Sequence, residues 1–324
     1  LLFGFFLLLP AIPEVLYRKG IFQVIRVVFD FTTGLLPFPA AAVWLPALVA
    51  LALWFVCRKP RRFRLIPMRL LNAVGYALTL FMLVWGFNYT CRGITEGRQA
   101  AKLKEDQLFA LGASAHERCI ELKASAEMAL LHTPVDEVTV REAVEQLLSS
   151  RGIPTAGRVR CRILNDAGTL RKLGIAGFFF PFHQEGYTSS TYLPGTVTFI
   201  MAHELSHGYG ITHEGEADLV AYLALSQSGH PAMQYAAELE LLRNVRGRLK
   251  RESPEKYAEL KANTAPGVED DLRAIYLNGL GYQEYVPGVQ EKFNDLYLKS
   301  MGVSAGVGSY DHMLEMVYAE RIGL

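Results

Sequence analysis

The stretch PGTVTFIMAHELSHGYGITHEGEAD, residues 194–218, decides how the rest of the chain is read. A helix is expected over 196–208, opening after Pro194-Gly195 with Thr196 as its cap. His203 and His207 are four apart, so both imidazoles leave one face of that helix and can share a metal ion. Glu204 points beside the metal, where it can take a proton from a metal-bound water and pass it to a leaving amine. Gly208 and Gly210 end the helix and turn the chain back. A second helix opens on Glu214-Gly215-Glu216-Ala217-Asp218 and runs to about Ser228. Glu214 and Asp218 are again four apart. Glu214 can give a third, oxygen ligand and leave the fourth position to water, the composition of a catalytic zinc (Zn2+) site. Asp218, one turn on, can hydrogen-bond a ligand histidine from behind. With eight histidines in 324 residues, H-E-x-x-H arises by chance on the order of 0.01 times per chain. A helix with merely solvated histidines is therefore the weaker account.

The same run also satisfies H-E-x-x-H-x-x-G-x-x-H, which makes His213 the alternative metal ligand. Sites of that kind need a methionine-containing turn beneath the metal, for which Met233 and Met301 are weak candidates. The acidic helix would also go unexplained, so Glu214 ranks first and His213 second.

Working outward, Val159, Cys161 and Ile163 alternate with Arg158, Arg160 and Arg162, the period of a strand. Gly177–Phe182 and Tyr187–Tyr192 are two further β candidates. Helices are expected over 95–132, over 136–150 and through most of the chain after Pro194, which gives an α+β domain. Phe180, Phe182 and Glu185 mark a strand that could align an extended peptide. Tyr310 and His312 are candidate transition-state donors, while His116, His132, His183 and His230 show no ligand spacing. Four cysteines, Cys57, Cys91, Cys119 and Cys161, form no C-x-x-C pair and demand no disulfide.

Hydrophobic residues make up 51% of the chain and the mean hydropathy is +0.16, an excess concentrated before residue 90. Three apolar stretches appear: Leu1 to about Leu16, Ala40–Cys57, and about Leu70 to Phe87. Crossing a bilayer takes about 20 apolar residues, with about 17 as a lower limit. The second and third fit, and the first fits as the end of a longer helix. Arg58, Lys59, Arg61, Arg62 and Arg64, with Arg69 following, place the 58–69 loop in the cytoplasm and residues 90–324 outside. Between the first two stretches, Arg18, Lys19 and Arg26 are partly offset by Asp30, and Ile21–Phe31 reads as an interfacial segment or an ordered loop. Residues 1–94 are thus expected to be a membrane anchor of about three helices, and 95–324 an extracytoplasmic domain. A net charge of +1 gives no reason to expect a nucleic-acid partner.

His203, Glu204 and His207, followed by Glu214 and Asp218 in E-x-x-A-D spacing, resemble the gluzincin metallopeptidases. In that group a glutamate on the next helix completes the site. A wider resemblance rests on Trp85-Gly86-Phe87-Asn88-Tyr89, Gly177–Phe182, the histidine helix, Asn294–Lys299 and Ser309-Tyr310. These stretches are similar to a bacterial family of unknown function with a helical anchor before a zincin-like domain. The resemblance implies a zinc metallopeptidase in the bacterial inner (plasma) membrane acting on peptide or protein substrates. It implies no particular substrate or oligomeric state. Two rival readings are a non-catalytic metal-binding membrane scaffold and an intramembrane protease. Glu214, Glu216 and Asp218 make 196–228 a poor spanning helix, which disfavours the second rival.

Overall fold

The three β candidates form one sheet. In the computed structural model, which describes residues 3, 4, 6, 9–57, 66–95, 101–130, 134–303 and 312–322, they are β1 (Arg160–Leu164), β2 (Gly177–Phe180) and β3 (Glu185–Ser189). Their order is β1-β3-β2. β3 is buried along its whole length, runs parallel to β1 and antiparallel to β2, and pairs Phe179 with Gly186. β2 is left as an edge strand.

The other regular elements among the described residues are helices, so the class is α+β. The histidine helix, Pro194–Gly208, lies on the sheet and also packs on Glu137–Ser150, on Glu214–Ser226 and on Pro231–Glu252. It begins at Pro194 rather than Thr196, with Leu193 extended ahead of it and no side-chain cap. Proline suits this first position because its missing N–H would have no intrahelical partner. The helix ends in a glycine turn in which Ile211 N–H donates to Ser206 O and Gly210 N–H to His207 O, the 6→1 and 5→2 pair of a Schellman motif. Gly210 has φ +90, and a Cβ there would meet Asn88 Oδ1 at 2.9 Å and Phe22 Cε1 at 3.0 Å. Ala217 and Ala221, both fully buried, let the following helix, Glu214–Ser226, approach closely.

Residues on both sides of the expected boundary at residue 94 share one buried cluster. Residues 14–40 and 84–95 pack on the domain rather than apart from it. Glu14–Ile21, wound as a π-helix, runs into Phe22–Asp30. Arg18, Arg26 and Asp30, which look like loop charges in the sequence, are buried. Arg18 donates to Arg92 O and Gly210 O. Arg26 donates to Ala156 O with its guanidinium 4.3 Å from the Tyr209 ring, and Asp30 pairs with Arg158 at 2.9 Å. Tyr17 and Phe22 of the same segment are buried, whereas Val24, Val28 and Phe31 face outward, 64%, 54% and 65% exposed.

Two apolar helices leave this unit, Ala41–Cys57 and Ile66–Val84. Among the described residues only Pro67–Val84 is long and apolar enough to cross a membrane, against about three such helices expected; Ala41–Leu51 is a shorter apolar run. The basic residues Arg58, Lys59, Arg61, Arg62 and Arg64 lie outside the described residues, as do Tyr310 and much of Leu1–Leu8. Cys91, Cys119 and Cys161 are free thiols.

The helix end built on Gly210 carries a stability consequence. Gly210→Ala should destabilise the protein by about 1–3 kcal/mol, the usual cost of a side chain held at positive φ. Gly229→Ala, where an added Cβ meets nothing within 4 Å, should stay within about 0.5 kcal/mol. Thermal unfolding of the two variants side by side checks this, and equal melting temperatures would contradict it.

Candidate metal centre

The four-residue spacing of the histidine helix brings His203 Nε2 and His207 Nε2 to 3.0 Å of one another. Glu214 Oε2, from the first turn of the next helix, lies 3.2 Å from the former and 3.3 Å from the latter. Donors about 2.05 Å from a tetrahedral zinc stand about 3.3 Å apart, so this triangle has the dimensions of three zinc ligands.

Hydrogen bonds on the far sides of both rings reinforce that fit. His203 Nδ1 donates to Asp218 Oδ1 at 2.7 Å, and His207 Nδ1 donates to Ile211 O at 2.7 Å. A neutral imidazole whose Nδ1 carries the proton presents its Nε2 lone pair, and here both lone pairs turn toward Glu214. The glycine turn after the histidine helix is what carries the Ile211 carbonyl back beneath His207. Burial alone would push both histidines down. Asp218 and Glu214 outweigh it at His203, which is held well above its ordinary range, and Glu214 does the same for His207. Burial raises Glu214, but His207 and His203 hold it well below the usual carboxylate range. A cation at the centre would take over the role of those protons.

Glu204 is 3% exposed, and its Oε2 is buried with no hydrogen bond to any described residue. Burial pushes its carboxyl up to about 7, against the pull of His203 and His207. Two glycines of the sheet make room for it. A Cβ at Gly177 would stand 2.5 Å from Glu204 Oε1, and one at Gly186 would stand 2.8 Å from Glu204 Cβ. Glu204 is thus wedged between helix and sheet with one oxygen free, at the wall of a cleft of about 1420 Å³ that His203, His207, Glu214 and Asp218 also line.

The remaining expected residues are placed differently. His213 precedes the Glu214 helix, stands with its ring 6.4 Å from Tyr89 and is not among the three converging donors. Phe182 lines the cleft, whereas Phe180 turns onto His183, with ring centres 4.6 Å apart. Glu185 is not a cleft residue. It is 1% exposed, pairs with Arg162 at 3.2 Å, and accepts Ala40 N–H at 2.8 Å and the Tyr187 hydroxyl at 2.7 Å. Tyr187 in turn accepts Ala41 N–H. The two side chains serve unpaired N–H groups at the start of the Ala41–Cys57 helix. His312 is exposed.

Three aromatic residues beside the His203, His207 and Glu214 cluster carry no site signal in the sequence. Trp85 Nε1 donates to His207 O at 2.8 Å. The Tyr89 and Tyr297 hydroxyls meet at 3.3 Å, and Tyr297, pushed up to about 12 chiefly by burial, lines the cleft with Glu214. Trp85-Gly86-Phe87-Asn88-Tyr89 was conspicuous in the sequence, yet nothing local ties it to a helix more than 100 residues downstream.

The geometry separates the two candidate third ligands. Glu214→Ala should lower zinc affinity by at least about 10-fold, while His213→Ala, checked for folding, should leave it near normal. Titration of each purified variant against a competing chelator reads this directly. The opposite ranking would put His213 on the metal.

No curated protein and no solved structure matches this chain. Residues 17–318 match the family model described as Protein of unknown function (DUF3810). That span takes in the Phe22–Asp30 helix, the two apolar helices, the sheet and the triangle of His203, His207 and Glu214 together, and the chain belongs to the DUF3810 family.

Proposed function

We propose that this protein is a zinc metallopeptidase of the zincin type, held in the bacterial plasma membrane with its cleft on the extracytoplasmic side. The observation that carries the reading is the triangle of His203 Nε2, His207 Nε2 and Glu214 Oε2, with edges of 3.0, 3.2 and 3.3 Å, set beside an unpaired Glu204 oxygen. Nitrogen and oxygen donors without thiolate favour zinc in a catalytic rather than a purely structural role. Zinc held there supplies Lewis-acid polarisation of a peptide carbonyl and makes water a stronger acid.

The chain's own groups do the rest. Glu204 Oε2 accepts the proton of the attacking water, and its carboxyl, raised to about 7 by burial, is matched to returning that proton to the departing amine. Asp218 and Ile211 O fix the ring orientations. Edge strand β2 offers unpaired backbone groups beside the cleft, along which an extended peptide can lie.

The membrane assignment is supported by an inversion in the Phe22–Asp30 helix. It buries Arg26 and Asp30 and exposes Val24 and Val28, an arrangement that favours lipid rather than water outside. Ile66–Val84 has 19 residues, about 28 Å of helix, which matches a hydrocarbon core of about 30 Å. We take Ala41–Cys57 as its partner in a hairpin. The basic residues between them in sequence, Arg58 to Arg64, favour the cytoplasmic side.

One experiment tests both halves. Purified wild-type protein with verified zinc should cleave members of a broad peptide library, and Glu204→Gln should keep its zinc but lose about 100- to 10,000-fold in rate. Intact spheroplasts should cleave the same peptides from outside. Cleavage only after lysis would invert the topology, and no cleavage by zinc-loaded wild type would leave a non-catalytic metal-binding scaffold as the better account.

A further inference from the structure

Building on the peptidase reading, we propose that the substrates are polypeptides anchored by a hydrophobic group in the same membrane, cut within a few residues of that anchor. The observation is the junction between the spanning helix and the metal cleft. Phe81, one turn before the end of Ile66–Val84, lines the same cleft as His203 and Glu204. Its ring lies 6.5 Å from Phe182 and 6.4 Å from Tyr297. The next turn brings Trp85, whose indole bonds the His207 carbonyl with its ring 6.4 Å from the His207 imidazole. No linker separates the bilayer helix from the metal ligands.

The domain also rests on the membrane instead of standing off it. Val24, Val28, Phe31 and Leu35 are each more than half exposed, in the segment that leads directly into Ala41–Cys57. A helix that ends at Val84 meets the hydrocarbon boundary there. The metal ligands then lie on the order of 10 Å from the hydrocarbon, which three or four extended residues can cover at about 3.3 Å each. The cleft wall around Phe81 is aromatic, with Phe182 and Tyr297 beside it. An apolar flank next to an anchor fits that wall. A transmembrane helix and a fatty-acyl chain both provide such an anchor.

The test uses the full chain in nanodiscs with verified zinc. One randomised peptide library is presented soluble, attached to a transmembrane helix, and attached to a palmitoyl group. Both anchored forms are made with a direct junction and with a flexible spacer of about 25 residues, a length that far exceeds the distance to the metal. Cleavage should be at least about 10-fold faster for directly joined libraries than for long-spaced or soluble ones, with cuts within about six residues of the anchor. A preference for the helix arm or for the acyl arm identifies the anchor. Equal rates for direct and long spacing, at equal surface density, would overturn the inference and leave the peptidase reading intact. Cleavage in no arm would remove both.

Discussion

Two imidazole nitrogens 3.0 Å apart, with a carboxylate oxygen just over 3 Å from each, form a cluster with the dimensions of a three-donor metal site. Each donor is held from behind: His203 by Asp218, His207 by the Ile211 carbonyl, and Glu214 by its place in the first turn of a helix. Those supports come from the segment immediately after the histidine helix, so the glycine turn at Gly210 sets the site as much as the histidines do. A second constraint meets it from the sheet, where Gly177 and Gly186 let Glu204 sink between helix and strands. These side chains are thereby positioned by rigid elements, the condition under which such a cluster keeps its geometry.

The membrane-proximal chain belongs to the same body. Phe22 fills the space beside Gly210, Arg18 holds the Gly210 carbonyl, and Trp85 holds that of His207. Glu185 and Tyr187, at the centre of the sheet, cap the start of the Ala41–Cys57 helix. The apolar helices and the histidine cluster are fastened together at the Gly210 turn itself. This makes the proposed bilayer a fixed boundary of the cleft rather than a distant tether.

Much of the site was legible because its signal is local. The i, i+4 spacing of His203 with His207 and of Glu214 with Asp218 fixes which side chains share a face, and all four side chains gather in the structure. The three strands were legible from alternation and punctuation, though not their order. What stayed hidden depends on long-range pairing. Arg18 and Arg26 resemble topology-setting loop charges, yet their partners are carbonyls 74, 192 and 130 residues away. Glu185 resembles an exposed strand residue, and only the approach of Ala40 makes it a buried cap. Tyr297 carries no spacing relation to the histidines, so no local pattern could bring it to the cleft.

The central claim is that one zinc ion sits among His203, His207 and Glu214. X-ray absorption at the zinc edge of the purified full chain tests it most directly, together with the metal content of the same sample. The account expects about one zinc per chain, with nitrogen and oxygen neighbours at about 2.0–2.2 Å, two of them imidazoles, and no sulfur. A shell containing sulfur, or a folded protein that takes up no zinc, would contradict it.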